Sequence, residues 1–233
     1  MDSQVKPDAQ GQSRIQNVRK EKKIKKDMFT WWQSIIILVA TLAICLSAGY
    51  YVSDKYLWNK NDEEIIKQIK YKKTLVDQKP NDPGLRVQLG YSYFLKSDDD
   101  NAIKEYQTAK SLDKDYYAAY LNLAIVYDKQ NRTDDALQMA IKATKLAPQD
   151  YKSLLLKGRS YRKLKMYDKA KEALQQAERF KKGNTDVIYE TGLVAEDQGR
   201  LSDAESIYKE TLSYDPTFKP ALEALERLKS KKK

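Results

Sequence analysis

Small and aromatic residues recur every 34 positions through the C-terminal part of this chain. Series that share one period over four copies indicate an internal repeat. Repeats of this length are typical of solenoids, in which each unit buries one face only by stacking on its neighbours. The three series are Gly90, Ala124, Gly158 and Gly192; Ala102, Ala136, Ala170 and Ala204; and Tyr93, Tyr127, Tyr161 and Ala195.

Each repeat divides into two halves whose apolar residues follow helical spacing. Leu89 to Tyr93 is typical of the first half, Ala102, Tyr106 and Ala109 of the second, and a polar turn at 97–100 separates them. The pattern predicts an all-α solenoid of about four helix-turn-helix units with capping helices. The predicted segments are a linker and half-repeat capping helix at 54–82, repeats at 83–116, 117–150, 151–184 and 185–218, and a capping helix with a Lys-rich tail at 219–233.

A different pattern, without any charged residue, runs from Met28 to Ser53. About 20 helical residues span the roughly 30 Å hydrocarbon core of a membrane, and aromatic residues flank both ends of this segment as they do at head-group level. We therefore predict one transmembrane helix at 28–53. The alternatives are a buried helix of a soluble protein and a cleaved signal, but Ile44, before the single Cys45, is too large for a lipoprotein cleavage box.

Charge on the two sides of this helix predicts its orientation. Residues 1–27 carry eight Lys or Arg against four Asp or Glu, and six of these cations lie between Arg19 and Lys26. Only Lys55 and Lys60 lie in the first seven residues after the helix. The positive-inside rule then predicts a disordered cytoplasmic tail attracted to anionic lipid, with the repeats on the exported side of a bacterial plasma membrane. A nucleic-acid-binding arm and a cytosolic repeat domain are the alternatives.

Composition argues against most catalytic chemistry. The chain has no histidine and one cysteine, which removes imidazole bases, histidine metal ligands and Cys/His pairs. The net charge of +10 is unevenly spread: residues 1–27 carry +4 and residues 61–233 carry +5, a mild excess over the repeats that requires no nucleic-acid partner. We expect no enzyme activity, cofactor, metal or small-molecule substrate.

The repeats resemble the tetratricopeptide repeat, in which an aromatic residue, Leu, Gly and Tyr mark the first helix and Ala, an aromatic residue, Ala and Pro mark the second. The second repeat matches most closely, and Lys114, Lys157, Thr191 and Thr211 are departures elsewhere. The matching residues of the second repeat are Tyr120, Leu123, Ala124, Tyr127, Ala136, Ala143 and Pro148.

The resemblance implies that first helices line a concave groove where peptides or partner helices bind. The mixed chemistry of the groove positions favours an extended peptide or a helix with an apolar face rather than nucleic acid. The implied groove residues are Val87, Tyr91 and Phe94; Leu121, Ile125 and Asp128; Lys152, Leu155, Arg159 and Arg162; and Tyr189, Leu193 and Glu196.

A basic stretch in the third repeat is a hypothetical site for acidic segments, with ordinary solvated surface as the alternative. It comprises Lys157, Arg159, Arg162, Lys163, Lys165, Lys169 and Lys171.

These features together predict a membrane-anchored scaffold or adaptor for proteins of the cell envelope, acting in assembly, secretion or quality control. Its partners are proteins, bound in the groove, and membrane lipid, contacted by the helix and the basic tail. A non-catalytic regulatory subunit of an envelope enzyme and a cytosol-facing receptor for chaperones or precursors are the alternatives.

Overall fold

The computed structural model describes residues 31–53 and 59–231, and within these ranges the protein contains eleven helices and no strand. This confirms the predicted all-α fold. The predicted tail at 1–27, part of the linker and the last two lysines lie outside the described residues. The helices are α1 Trp31–Ser53, α2 Asn59–Gln78, α3 Pro83–Leu95, α4 Asp99–Leu112, α5 Tyr117–Lys129, α6 Thr133–Leu146, α7 Tyr151–Lys163, α8 Tyr167–Phe180, α9 Thr185–Asp197, α10 Leu201–Tyr214 and α11 Lys219–Lys231.

The chain forms two units, one up to Asp62 and one from Glu63 onward. In the first unit, the α1 window Trp32–Gly49 has a mean hydropathy of 1.9 and is wholly exposed. The hydroxyl of Thr41 donates to the carbonyl of Leu38 at 2.9 Å, so this polar side chain is satisfied inside its own helix. The helix is long and apolar enough to cross a membrane, a test that a signal sequence passes as well.

In the second unit, α3 to α10 form four helix pairs, and the first helices of the pairs begin 34 residues apart. The small-residue series of the sequence lies where the two helices of a pair approach most closely. A methyl group on Gly90 would lie 2.6 Å from a ring carbon of Tyr106, and one on Gly192 would lie 2.5 Å from the ring of Tyr208. Glycine therefore occurs where the facing residue is bulky, and in the second pair Ala124 packs with Ala140 instead.

The turn inside each pair uses a left-handed backbone. Ser97, Asn131 and Lys165 have φ of 60°, 57° and 59°, and Gly199 has φ of 75°. These residues are again 34 positions apart and follow the end of each first helix, where a left-handed residue turns the chain. Only the fourth pair has glycine, the residue that adopts this conformation without strain.

Contacts between pairs define an inner and an outer row of helices. Each second helix packs against the first helix of its own and of the next pair, and the first helices also contact one another, α3 with α5, α5 with α7 and α7 with α9. The first helices therefore form the inner, concave side of the array, and the second helices form the outer side.

Helices α2 and α11 cover the two ends of the array. Ile69 and Val76 of α2 are buried against Leu89 and Tyr93 of α3. At the other end, Leu228 of α11 is buried in a cluster with residues of α9 and α10. Both terminal pairs are thus shielded from solvent, as a solenoid requires.

Candidate interaction groove

All the predicted groove residues lie on the first helices of the four pairs, which form the concave side of the array. Helix α3 carries Val87, Tyr91 and Phe94; α5 carries Leu121, Ile125 and Asp128; α7 carries Lys152, Leu155, Arg159 and Arg162; and α9 carries Tyr189, Leu193 and Glu196. Their side chains differ greatly in exposure and in partners, and they divide the groove into four parts.

The N-terminal part of the groove is an exposed apolar surface on α3. Tyr91 is 47% exposed and its ring stacks on that of Phe94, with centroids 6.5 Å apart and an interplanar angle of 30°. Leu95, which was not among the predicted residues, is 44% exposed beside them. The ammonium group of Lys129 lies 5.0 Å from the centre of the Phe94 ring and 2.8 Å from a carboxylate oxygen of Asp99. We call Tyr91, Phe94 and Leu95 the aromatic surface.

The middle part is more buried. Leu121 and Ile125 pack, half-buried, against a cluster that contains Leu156, and Leu155 is only 9% exposed. These side chains mainly pack between successive first helices and expose little surface to solvent. Lys152, near the start of α7, is exposed.

The third part is a cluster of ion pairs centred on Glu190 of α9, whose side chain is 2% exposed. Oε2 of Glu190 accepts a hydrogen bond from Arg159 Nε at 2.9 Å, and Oε1 accepts one from Arg162 Nε at 2.5 Å. One buried carboxylate thereby bridges two guanidinium groups of the preceding repeat.

Two further carboxylates complete this cluster. Arg159 also donates to Asp128 of α5 at 3.3 Å, Arg162 donates to Asp197 at 2.8 Å, and Lys163 lies 2.6 Å from the second oxygen of Asp128. Three cations thus face three carboxylates across α5, α7 and α9. We call these six residues the inter-repeat charge cluster.

The electrostatics of the cluster favour its charged form. Burial opposes the charge of Arg159 and Arg162, but the surrounding carboxylates, Glu190 first, outweigh it and raise the pKa of both guanidinium groups above the ordinary value. The raised pKa of both guanidinium groups favours their charged form inside the cluster.

This pairing changes the interpretation of the basic stretch in the third repeat. Three of its seven cations, Arg159, Arg162 and Lys163, are neutralised within the chain. Of the others, Lys157 and Lys169 have ammonium groups 6.0 and 5.8 Å from the centre of the Tyr161 ring. The stretch is therefore not one uniform patch of free positive charge.

The C-terminal groove residues are engaged with the terminal cap. The ring of Tyr189 lies 5.5 Å from that of Tyr208 and 5.6 Å from that of Phe218. A carboxylate oxygen of Glu196 lies 2.7 Å from Arg227 Nη2 of α11 and accepts a hydrogen bond from the Tyr208 hydroxyl at 2.8 Å. The bond to Glu196 is the main cause of the raised pKa of Arg227.

Sequence reasoning missed the role of Glu190, although a signal for it exists. Residues 31 positions apart face each other on adjacent first helices, and along this spacing Asp128, Arg159 and Glu190 alternate in charge. Glu196 and Arg227 are also 31 positions apart. A search for opposite charges 31 positions apart, rather than at the repeat length of 34, would have found both sets of ion pairs.

For residues 31–53 and 59–231, no group of three or more His, Cys, Asp or Glu side chains is placed to hold a metal ion. The candidate groove in this part of the chain is built from aromatic, aliphatic and ion-paired side chains.

Comparison with known proteins agrees with this architecture. Two family models described as tetratricopeptide repeat match residues 94–158 and 151–184. No curated protein matches the sequence.

Solved structures share the fold at low sequence identity. A tetratricopeptide repeat protein from Parabacteroides merdae has a TM-score of 0.64 and 16% identity, over 77% of this chain and 71% of that protein. MamA from Desulfovibrio magneticus has a TM-score of 0.60 and 19% identity, over 72% of this chain and 94% of the other. YrrB, described as having an unusual peptide-binding site, has a TM-score of 0.57 and 19% identity, over 69% and 83% of the two chains. The two models together cover residues 94–184 and show that this part of the chain consists of tetratricopeptide repeats, and the helix pairs of the second unit share the fold of the solved repeat proteins.

Proposed function

We propose that this protein is a membrane-anchored scaffold that binds peptide or helical segments of partner proteins on the concave side of its repeats. The observation that carries the proposal is the aromatic surface, on which Tyr91 and Leu95 are close to half exposed. Aromatic side chains that are held in place by a rigid helix lose little entropy on binding, and such residues dominate the binding energy of interfaces.

The inter-repeat charge cluster argues against a strongly acidic partner segment and favours an apolar one. Because its cations and carboxylates satisfy one another, an acidic segment would gain little from Arg159 or Arg162 without first displacing Glu190. The main attraction would come from apolar side chains of the partner packing on Tyr91 and Phe94. An amphipathic helix, or an extended peptide with alternate apolar residues, meets this requirement. The description of YrrB, a protein of the same fold, names peptide as its ligand and supports this class.

Confinement at a membrane would strengthen such binding. We propose that α1 anchors the protein as a single-pass helix, with the basic tail in the cytoplasm and the repeats on the exported side. A partner held in the same membrane then meets the groove at a high effective concentration, so that modest affinity suffices. Envelope assembly, secretion and protein quality control are the processes that fit this arrangement.

The proposal is tested by photo-crosslinking in the native membrane. A photoreactive residue in place of Tyr91 in the full chain should yield a discrete adduct with a partner protein. Phe94→Ala combined with Leu95→Ala should reduce the yield at least about tenfold, since each truncated anchor costs about 1 kcal/mol or more of binding energy.

The matched control carries the photoreactive residue at Lys104, which is exposed on the outer helix α4. Adducts that form equally well from both positions, or that persist in the Phe94→Ala, Leu95→Ala variant, would rule out the aromatic surface as the binding site.

A further inference from the structure

A second concave feature lies on the outer side of the array, between the second helices α8 and α10. It consists of two adjoining cavities of about 180 and 220 Å³ that share Thr191 and Ile207 in their linings. The rest of the apolar lining is Leu174, Ile188 and Val194. Helix α9 forms the floor of this cleft and α8 and α10 form its walls. We call it the outer cleft.

The outer cleft exists because α9 presents small side chains to it. In the second repeat, the three positions that correspond to Ile188, Thr191 and Val194 carry larger or equal side chains, and all are buried. These residues are Tyr120, Leu123 and Val126, with exposed fractions of 7%, 0% and 1%. Exchanging a tyrosine for isoleucine and a leucine for threonine leaves unfilled space between the outer helices.

The outer cleft is separate from the concave groove. Helical residues are rotated by about 100° each, so that Ile188, Thr191 and Val194 project from the face of α9 opposite to Tyr189 and Glu196. A ligand in the outer cleft would therefore touch none of the predicted groove residues of α9.

Its two ends carry opposite charge. Glu178 and Glu210 line one end, and Lys171 gives the other its positive charge, beside Arg200, which is paired with Asp203 at 3.2 Å. Oε1 of Glu178 accepts a hydrogen bond from the backbone N–H of Gly183 at 2.9 Å. Its other oxygen, Oε2, is buried and has no partner among the described residues. A buried carboxylate oxygen without a donor is unfavourable. The negative charges of Glu178 and Glu210 attract a cation to this end of the cleft, and a rotation of the Glu178 side chain would let Oε2 accept a hydrogen bond from it.

We propose that the outer cleft is a second docking site that takes an aliphatic–basic peptide segment of a partner protein. The aliphatic side chain packs over Thr191 and Ile207, and a neighbouring Lys or Arg pairs with Glu178 and Glu210. From Lys171 to Glu178 the wall spans seven residues of α8, or about 10 Å, which accommodates about three residues of extended peptide. Charge complementarity at both ends favours an acidic residue on the other side of the aliphatic one.

A defined peptide tests the proposal. A fluorescein-labelled peptide of sequence Ser-Glu-Leu-Leu-Lys-Ser is titrated into the full chain in lipid nanodiscs, and its anisotropy is followed. We expect saturable binding with a Kd below about 1 mM. Thr191→Leu, which restores the leucine of the first two repeats, should fill the cleft and weaken binding at least about tenfold. Glu178→Gln combined with Glu210→Gln should weaken it several-fold.

Two control variants distinguish binding in the outer cleft from binding in the groove and from a general effect of the Thr-to-Leu change. Thr74→Leu introduces the same change on an exposed face of α2, where the hydroxyl also donates to the carbonyl four residues earlier, and it should leave binding unchanged. Tyr91→Ala removes the main anchor of the proposed groove and shows whether the peptide binds there instead. Far-UV circular dichroism checks that each variant is folded.

Several results would overturn the proposal. These are no saturable binding up to about 1 mM, equal binding to wild type and Thr191→Leu, or equal binding of a peptide in which Glu replaces Lys. Loss of binding in Tyr91→Ala would assign the peptide to the groove instead. Self-association of the wild-type chain that Thr191→Leu abolishes in sedimentation would identify a second copy as the occupant.

Discussion

At the scale of single residues, Glu190 is the most constrained side chain of the groove. It is almost fully buried between the guanidinium groups of Arg159 and Arg162, which are 30% and 16% exposed. Removing one partner of a buried ion pair is more costly than removing a pair at the surface, because the remaining charges lose both their partner and their solvent. The same position is Gln88, Asn122 and Leu156 in the other repeats, so nothing in the repeat pattern itself requires a carboxylate.

The substitution Glu190→Gln should therefore lower the free energy of unfolding by about 2–3 kcal/mol, since it leaves two arginines near one another without the shared carboxylate. Urea denaturation followed by far-UV circular dichroism measures the effect. Asp135→Asn is the matched control. It breaks an exposed pair with Arg132 and should change stability by no more than about 0.5 kcal/mol. Equal effects of the two variants would show that Glu190 has no special role.

At the scale of helices, the sizes of the two facing side chains determine how closely the helices of a pair pack: a small residue on one helix lies opposite a large one on the other, or two alanines face each other. Gly90, Gly158 and Gly192 face Tyr106, Leu174 and Tyr208, whereas Ala124 packs with Ala140. Tyr106 and Tyr208 are 1% and 0% exposed, and this burial raises the pKa of their hydroxyls.

This match predicts non-additive stability effects. Gly192→Ala should lower the free energy of unfolding by about 1–2 kcal/mol, because the new methyl group collides with the Tyr208 ring. In a Tyr208→Ala background, which reproduces the pairing of the second repeat, the same change should be neutral or stabilising. Combining Gly192→Ala with Tyr106→Ala, in a different repeat, should give additive effects. If the changes in unfolding free energy were additive in both double variants, the proposed fit between Gly192 and Tyr208 would be contradicted.

These elements also show what the sequence could and could not predict. The series of small residues 34 positions apart identifies the helix pairs, because close approach of two helices admits few residue types. The charge cluster depends on residues 28, 31 and 35 positions apart, and that register follows from how one repeat packs on the next. Thr191 departs visibly from the repeat pattern, but a departure alone does not tell whether a neighbour such as Ile207 fills the space it leaves.

At the scale of the whole molecule, one apolar helix and one repeat unit make up most of the described chain.

The proposed topology makes a direct prediction. Trypsin added to spheroplasts should degrade the repeats, which are rich in lysine, and should leave an epitope on the N-terminal tail intact. In inside-out vesicles the repeats should be protected and the epitope lost. The reverse pattern would place the repeats in the cytosol. A mature chain that begins at Cys45 would indicate a cleaved signal.

The inter-repeat charge cluster also has a mechanical consequence. A solenoid straightens by separating its inner helices, and between α5, α7 and α9 this would require five short ion pairs to lengthen together. Between α3 and α5 the described contact of this kind is the ammonium group of Lys129, 5.0 Å from the centre of the Phe94 ring. We therefore expect the part of the array from α5 to α9 to resist straightening more than the end that carries the aromatic surface.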